Sequence, residues 1–93
     1  MNVEFTNRAV RDLREISDHT RRQFGDRVTA ALEGRLRDAV TLIAREPESA
    51  PRVEQRSGMR VVALVRYPFK VFYRVVGDTV RIVHIRNTSR RPW

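Results

Sequence analysis

The sequence predicts an α+β fold of order β-α-α-β-β-β, with an α-helical hairpin packed on one face of an antiparallel-rich sheet. Three observations lead there. Apolar residues recur at helical spacing from about residue 7 to residue 45, with an interruption at Phe24-Gly25. From Gly58 to Arg86 they alternate as in strands, and Gly77-Asp78 supplies a two-residue hairpin turn. The chain has 93 residues, which allows one domain, residues 1–93, with a short basic tail at 87–93.

Residues 2–5 alternate polar and apolar and suit a short strand. Thr6 is placed to cap the helix that follows, with Phe5 and Val10 at the positions of a hydrophobic staple. A first helix is expected from about 7 to 23. Val10, Leu13, Ile16, Thr20 and Phe24 form its inward stripe. Gly25 can end it in a left-handed conformation, and Asp26 can cap the next. The second helix is expected from about 27 to 45, with Val28, Leu32, Leu36, Ala39 and Ile43 inward, until Pro47 stops it.

A loop follows over 47–57, then a strand from Gly58 to Arg66, broken by Tyr67-Pro68. The next strand runs from Phe69 to Val76. Phe69, Val71, Tyr73 and Val75 share one face, and Lys70, Phe72, Arg74 and Val76 share the other. The final strand runs from Thr79 to Arg86, and parity places His84 beside Ile82.

Lys plus Arg is 19 against 11 Asp plus Glu, a formal charge of +8, and Lys70 is the only lysine. Arginine carries a planar fork of donors that matches phosphate and carboxylate. Nucleic acid, a ribosome or an acidic protein is therefore the expected partner. Arg60, Arg66, Lys70, Arg74, Arg81 and Arg86 fall on or beside the last three strands. Strand parity is compatible with a basic face turned away from the helices, with Phe72 among the arginines as in surfaces that hold nucleotides. For any single arginine, a stem over an ordinary solvated face is the plainer reading, but the whole cluster at a net charge of +8 favours a functional surface.

Catalytic candidates are few. There is no cysteine, which excludes disulfides and thiol catalysis. The two histidines have no metal-site spacing, so no metal and no cofactor is expected. His19 reads as a surface residue and His84 as a half-buried one. No apolar run approaches the length of a membrane span, and no secretory signal is visible, so a cytoplasmic location is expected.

The order of elements and several motifs together resemble the RelE/ParE superfamily of toxin–antitoxin toxins. The motifs are Phe5 with Ala9-x3-Leu13-x2-Ile16, Phe24-Gly25, the Pro47 loop and Gly58-x-Arg60. After them come Tyr67-Pro68-Phe69-x2-Phe72-Tyr73-Arg74-Val75, Val80-Arg81-Ile82-x2-Ile85 and the Arg90-Arg91-Pro92 ending. The resemblance implies neutralisation by a cognate acidic antitoxin, whose N-terminal part binds operator DNA. It implies one of two targets, DNA gyrase in the ParE-like class or the ribosome and its messenger RNA in the RelE-like class. The ParE-like class is not an enzyme, whereas the RelE-like class is an endoribonuclease. An inactive, antitoxin-binding regulator is a third possibility.

RelE-like members are similar in carrying a Tyr, or a His-Tyr pair, near the C-terminus. This tail has neither, and Asn87 stands where close relatives place a His. Asn cannot supply a proton, which favours the ParE-like class. A nuclease would have to use Arg60, Lys70, Arg74, Arg81 and His84. The residues expected to meet target or antitoxin are Arg60, Arg74, Arg81, Arg86, Arg90, Arg91 and Trp93. On the ParE-like reading, deleting Arg90 to Trp93 removes growth arrest and leaves a folded, antitoxin-binding protein, whereas His84→Gln retains toxicity. Growth curves after induction, with circular dichroism of both variants, check this. A dispensable tail with an essential His84 would reverse the choice of class.

Overall fold

The computed structural model describes residues 1–89. The elements are β1 (Asn2–Phe5), α1 (Asn7–Arg45), β2 (Met59–Ala63), β3 (Phe69–Val76) and β4 (Thr79–Asn87). The sheet order is β1-β4-β3-β2. β1 pairs with β4 in parallel, and the β2–β3 and β3–β4 pairs are antiparallel. This is the expected α+β architecture.

α1 is two helical arms. Gly25, with φ 85° and ψ −178°, interrupts it and turns the chain into the hairpin. Thr6 caps the start, its hydroxyl accepting from the Ala9 N–H at 3.1 Å and donating to the Val83 carbonyl at 2.8 Å. The Asp26 carboxylate is taken by the Arg21 guanidinium at 3.2 Å. The hydroxyl of Thr29 instead donates to the Gly25 carbonyl at 2.8 Å. Across the hairpin, Ser17 Oγ donates to Glu33 at 2.8 Å and ties the arms together.

The buried stripe of the first arm is Ala9, Ile16 and Thr20, with Leu13 partly buried between them. In the second arm it is Thr29, Leu32, Leu36, Ala39 and Ile43. These spacings alternate between three and four residues, which holds a stripe on one side of a helix. Three expected members lie outside it, Val10 being only half-buried beside Ala9. Phe24 is 66% exposed and Val28 37% exposed. Gly25 redirects the chain immediately after Phe24, so Phe24 belongs to the hairpin apex. Val28 sits one position off the stripe that Thr29 occupies.

The helices cover Val71, Tyr73, Val80, Ile82 and Ile85, and together these residues form the core. β2 is shorter than expected. Leu64 N–H bonds back to the Phe69 carbonyl at 3.0 Å, and Arg66 has φ 73°, so Arg66 belongs to the turn. Segment 46–58 returns along the outer edge of β2, with an isolated bridge between Arg52 and Arg60. It occupies hydrogen-bonding groups that an edge strand would otherwise offer to other chains.

Two glycines of α1 should respond to the same substitution with opposite sign. At Gly25 an added Cβ meets nothing within 4 Å, but φ is +85°. Gly25→Ala should therefore lose about 1–3 kcal/mol from backbone strain alone. Gly34 has equal space and an ordinary helical backbone. Gly34→Ala should gain up to about 1 kcal/mol. Chemical denaturation of the two variants beside the parent measures both.

Candidate functional site

The site is assembled by an irregularity in β4. Phe72 pairs with His84 and Tyr73 with Ile82, so Val83 is an extra residue opposite no partner. Such a bulge shifts side-chain parity by one. Ile82 and Ile85, three apart, both face the core, and Arg81, His84 and Arg86 all face the other side. The expectation that His84 shares a face with Ile82 therefore fails.

Residues directly opposed across strands share a face. On the face away from the helices this aligns Lys70 with Arg86, Phe72 with His84, and Arg74 with Arg81. The Phe72 and His84 rings are stacked, with centroids 5.8 Å apart and planes 17° apart. Arg81 is paired with Glu4 of β1. Arg74, its cross-strand neighbour of like charge, has a solvent-shielded Nε with no hydrogen-bond partner among the described residues.

Arg60 is not part of this face. It opposes Tyr73, on the core side of the sheet. Its guanidinium donates to the carbonyls of Glu48 at 3.0 Å and Ala50 at 2.7 Å. The Tyr73 hydroxyl donates to the Pro47 carbonyl at 2.6 Å. Both side chains thus anchor the segment leaving α1. Arg60 reads with Lys70 and Arg74 from parity alone, because the register between β2 and β3 is not visible in either strand.

β4 continues past the end of β1, whose last pair is Phe5–Ile82. The first turns of α1 fill the vacant edge. Thr6 N–H bonds to the Ile82 carbonyl at 3.0 Å, and Asp12 Oδ2 accepts the Ile85 N–H at 3.0 Å. The same Asp12 oxygen meets His84 Nδ1 at 2.7 Å. A carboxylate only accepts, so Nδ1 carries the proton, and Nε2 is left to face Arg8 Nη2 at 3.4 Å. This pair, 72 residues apart in sequence, was not expected. Both fall at unspecified positions of their motifs, and only the docking of the helix on the β4 edge joins them.

A cavity of about 850 Å³ opens beside His84, between the first arm of α1, the 53–56 turn and the sheet. A second, mostly apolar groove of about 560 Å³ lies between β1 and the two arms. It is lined by Val3, Phe5, Leu13, Leu36 and Val40. Asn87, at the end of β4, accepts from the Ser89 N–H at 2.9 Å and its hydroxyl at 2.7 Å. Arg90, Arg91 and Trp93 lie outside the described residues. Among the described residues no group of three or more His, Cys, Asp or Glu could hold a metal ion. No described helix is long and apolar enough to cross a membrane.

The family model for the ParE toxin of the type II toxin–antitoxin system parDE matches residues 3–92. The chain belongs to this ParE toxin family. Among solved structures, it is similar to a chain of the chromosomal ParDE system from P. aeruginosa. The identity is 26%, the TM-score 0.83, and 94% of this chain and 95% of that one are covered. The fold is also that of a chain in the intact E. coli RelBE toxin–antitoxin complex. There the identity is 15% and the TM-score 0.65, with 97% and 98% covered. The isolated E. coli RelE toxin has the same fold at 15% identity and TM-score 0.64, with 98% and 87% covered. No curated protein matches the sequence.

Tyr73 gives this ParE-family chain an alkaline limit. Its side chain is fully buried, and burial raises the hydroxyl's pKa above the usual 10.0, with the Arg60 charge partly opposing. When unfolded, Tyr73 ionises at its ordinary value. Its contribution is therefore intact below about pH 10 and is lost as pH rises through the folded pKa. Tyr73→Phe should cost about 1–3 kcal/mol at neutral pH, by leaving the Pro47 carbonyl unpaired. Above pH 10 it should lose stability less steeply than the parent. Urea midpoints measured from pH 8 to 11 check both parts.

Proposed function

We propose that this protein is the growth-inhibiting toxin of a two-component pair, that a cognate antitoxin neutralises it, and that it acts as a ParE-like poison of DNA gyrase. The observation that carries the reading is the family match running from residue 3 to residue 92. The ParDE likeness over nearly the whole chain supports it.

The surface fits an acidic partner. Arg74 and Arg81 are like charges in direct cross-strand opposition, and Glu4 offsets only Arg81. A carboxylate from a partner would offset the other. The groove between β1 and the helical arms would take apolar anchors from the same partner. In this arrangement the anchors hold the complex together, and the basic sheet face accelerates encounter. Operator DNA would be reached through the antitoxin.

One observation favours a second reading, RelE-like cleavage of messenger RNA on the ribosome. The Asp12–His84 pair stands at the mouth of a cavity beside Phe72 and could move a proton. Asn87 weighs against it, because its side chain is proton-inert and is engaged by Ser89.

Purified protein tested side by side on gyrase supercoiling and on translating ribosomes with mapped message ends separates the two. The ParE-like reading expects inhibited supercoiling with cleaved DNA and intact message. Cleaved message with unaffected gyrase would establish the RelE-like reading. Inactivity in both assays, with antitoxin binding retained, would leave only a regulator. For the partner surface, reversing charge with Arg74→Glu and Arg81→Glu should slow antitoxin association at least tenfold at low salt, measured by surface plasmon resonance. An unchanged on-rate and affinity would place the antitoxin elsewhere.

A further inference from the structure

We propose that the cavity beside His84 is a small-molecule site for a mononucleotide, with the phosphate held by Arg8 and His84 and the base against Phe72. The proposal is independent of the target and of the antitoxin.

The argument starts from Arg8. Its guanidinium has five N–H donors. Its contact to a described residue is one long approach to His84 Nε2 at 3.4 Å, and no described carboxylate lies within ion-pair distance of it. Arg8 is exposed and lines the cavity, so its remaining donors are open to a ligand there. His84 is held from behind. Asp12 accepts from Nδ1 and is itself fixed by the Ile85 N–H, so the ring cannot turn without breaking a backbone-supported contact.

Nε2 is left with a lone pair beside a cation. That combination suits a phosphate monoester near neutral pH, whose P–OH can donate to Nε2 while its anionic oxygens accept from Arg8. With the proton moved onto Nε2, the same atoms form a phosphate dianion against an imidazolium and a guanidinium. Asp12 offsets the charge gained by the ring. Charge-assisted bonds of this kind are the strong ones. A carboxylate ligand could meet Arg8 but would normally bring no proton for Nε2.

The rest of the lining selects what the phosphate is attached to. Val53 and Phe72 supply apolar lining, and the carboxylates of Asp12 and Glu15 line the same cavity, so the phosphate is placed at Arg8 and His84. Phe72 is half-buried and stacked on His84. About 850 Å³ accommodates a ligand of nucleotide size. The combination of a basic mouth and an aromatic wall calls for a phosphate joined to a flat ring.

The test titrates the purified full-length protein with adenosine 5′-monophosphate, adenosine and inorganic phosphate. Binding is read by calorimetry and by the ring nitrogen resonances of His84. The nucleotide should bind one to one and move both ring nitrogens of His84, and it should bind at least tenfold more tightly than either fragment. Arg8→Gln, a change at an exposed position that takes no part in the core, should weaken nucleotide binding at least tenfold. Arg8→Lys, which keeps the charge and loses the fork, should fall between. The proposal is overturned if adenosine binds as well as the nucleotide, or if Arg8→Gln changes the affinity less than twofold. It is also overturned if inorganic phosphate binds as tightly as the nucleotide, because the apolar lining would then do nothing. A fourth contrary result is a DNA or RNA oligomer that binds strongly through Lys70, Arg74 and Arg81 while leaving the His84 resonances unmoved. That would make the surface a track for a strand.

Discussion

The extra residue at Val83 is the constraint on which both sides of the sheet depend. A regular strand would place Ile82 and Ile85 on opposite faces. The bulge sends both inward with Val80, where they meet the two helical arms. It also sends Arg81, His84 and Arg86 outward together, which no unbroken strand could do. The core and the basic face are two consequences of one register shift. Removing the bulge would bury a charge or expose an isoleucine, and both are unfavourable.

The bulge is stabilised from the neighbouring element. The Thr6 hydroxyl that caps α1 also donates to the carbonyl of Val83, so the start of the helix and the irregularity in the strand are fixed by one side chain. From there α1 runs beside the part of β4 that β1 is too short to reach, and Asp12 replaces a strand at Ile85. The opposite edge of the sheet is covered by segment 46–58. Arg60 and Tyr73 hold that segment through backbone carbonyls. At Ile85 a polar side chain takes the place of a neighbouring strand, whereas at β2 the backbone of the segment does so and polar side chains hold it there.

The elements were legible where the determinants are local. Thr6 as a cap, Gly25 as a break, Gly77-Asp78 as a turn and β3 from Phe69 to Val76 each depend on a few adjacent residues, and they stand where the pattern placed them. What depended on register was not legible. Arg60 was assigned to the wrong face because parity within β2 says nothing of its alignment with β3. His84 was misplaced because one extra residue inverts the parity of everything beyond it. Phe24 reads as an inward residue until the chain is seen to turn at the next position. Asp12 carried no signal at all, since its role exists only where a helix side chain meets the free edge of a strand far away in sequence.

The parallel pairing of residues 2–5 with residues 79–82 bears on the order in which the protein comes into being. β4 is an inner strand, flanked by β1 on one side and β3 on the other. Until it has been synthesised, β1 has no neighbour, Thr6 has no bulge to hold and Asp12 has no backbone to meet. A ribosome-bound chain can build the helical hairpin from local contacts, but not the sheet, which waits for pairings across most of the sequence. Every surface that depends on β4 is therefore absent from the nascent chain and arises after translation has passed it. Arg81, His84 and Arg86 thus come to share one face only after β4 has paired.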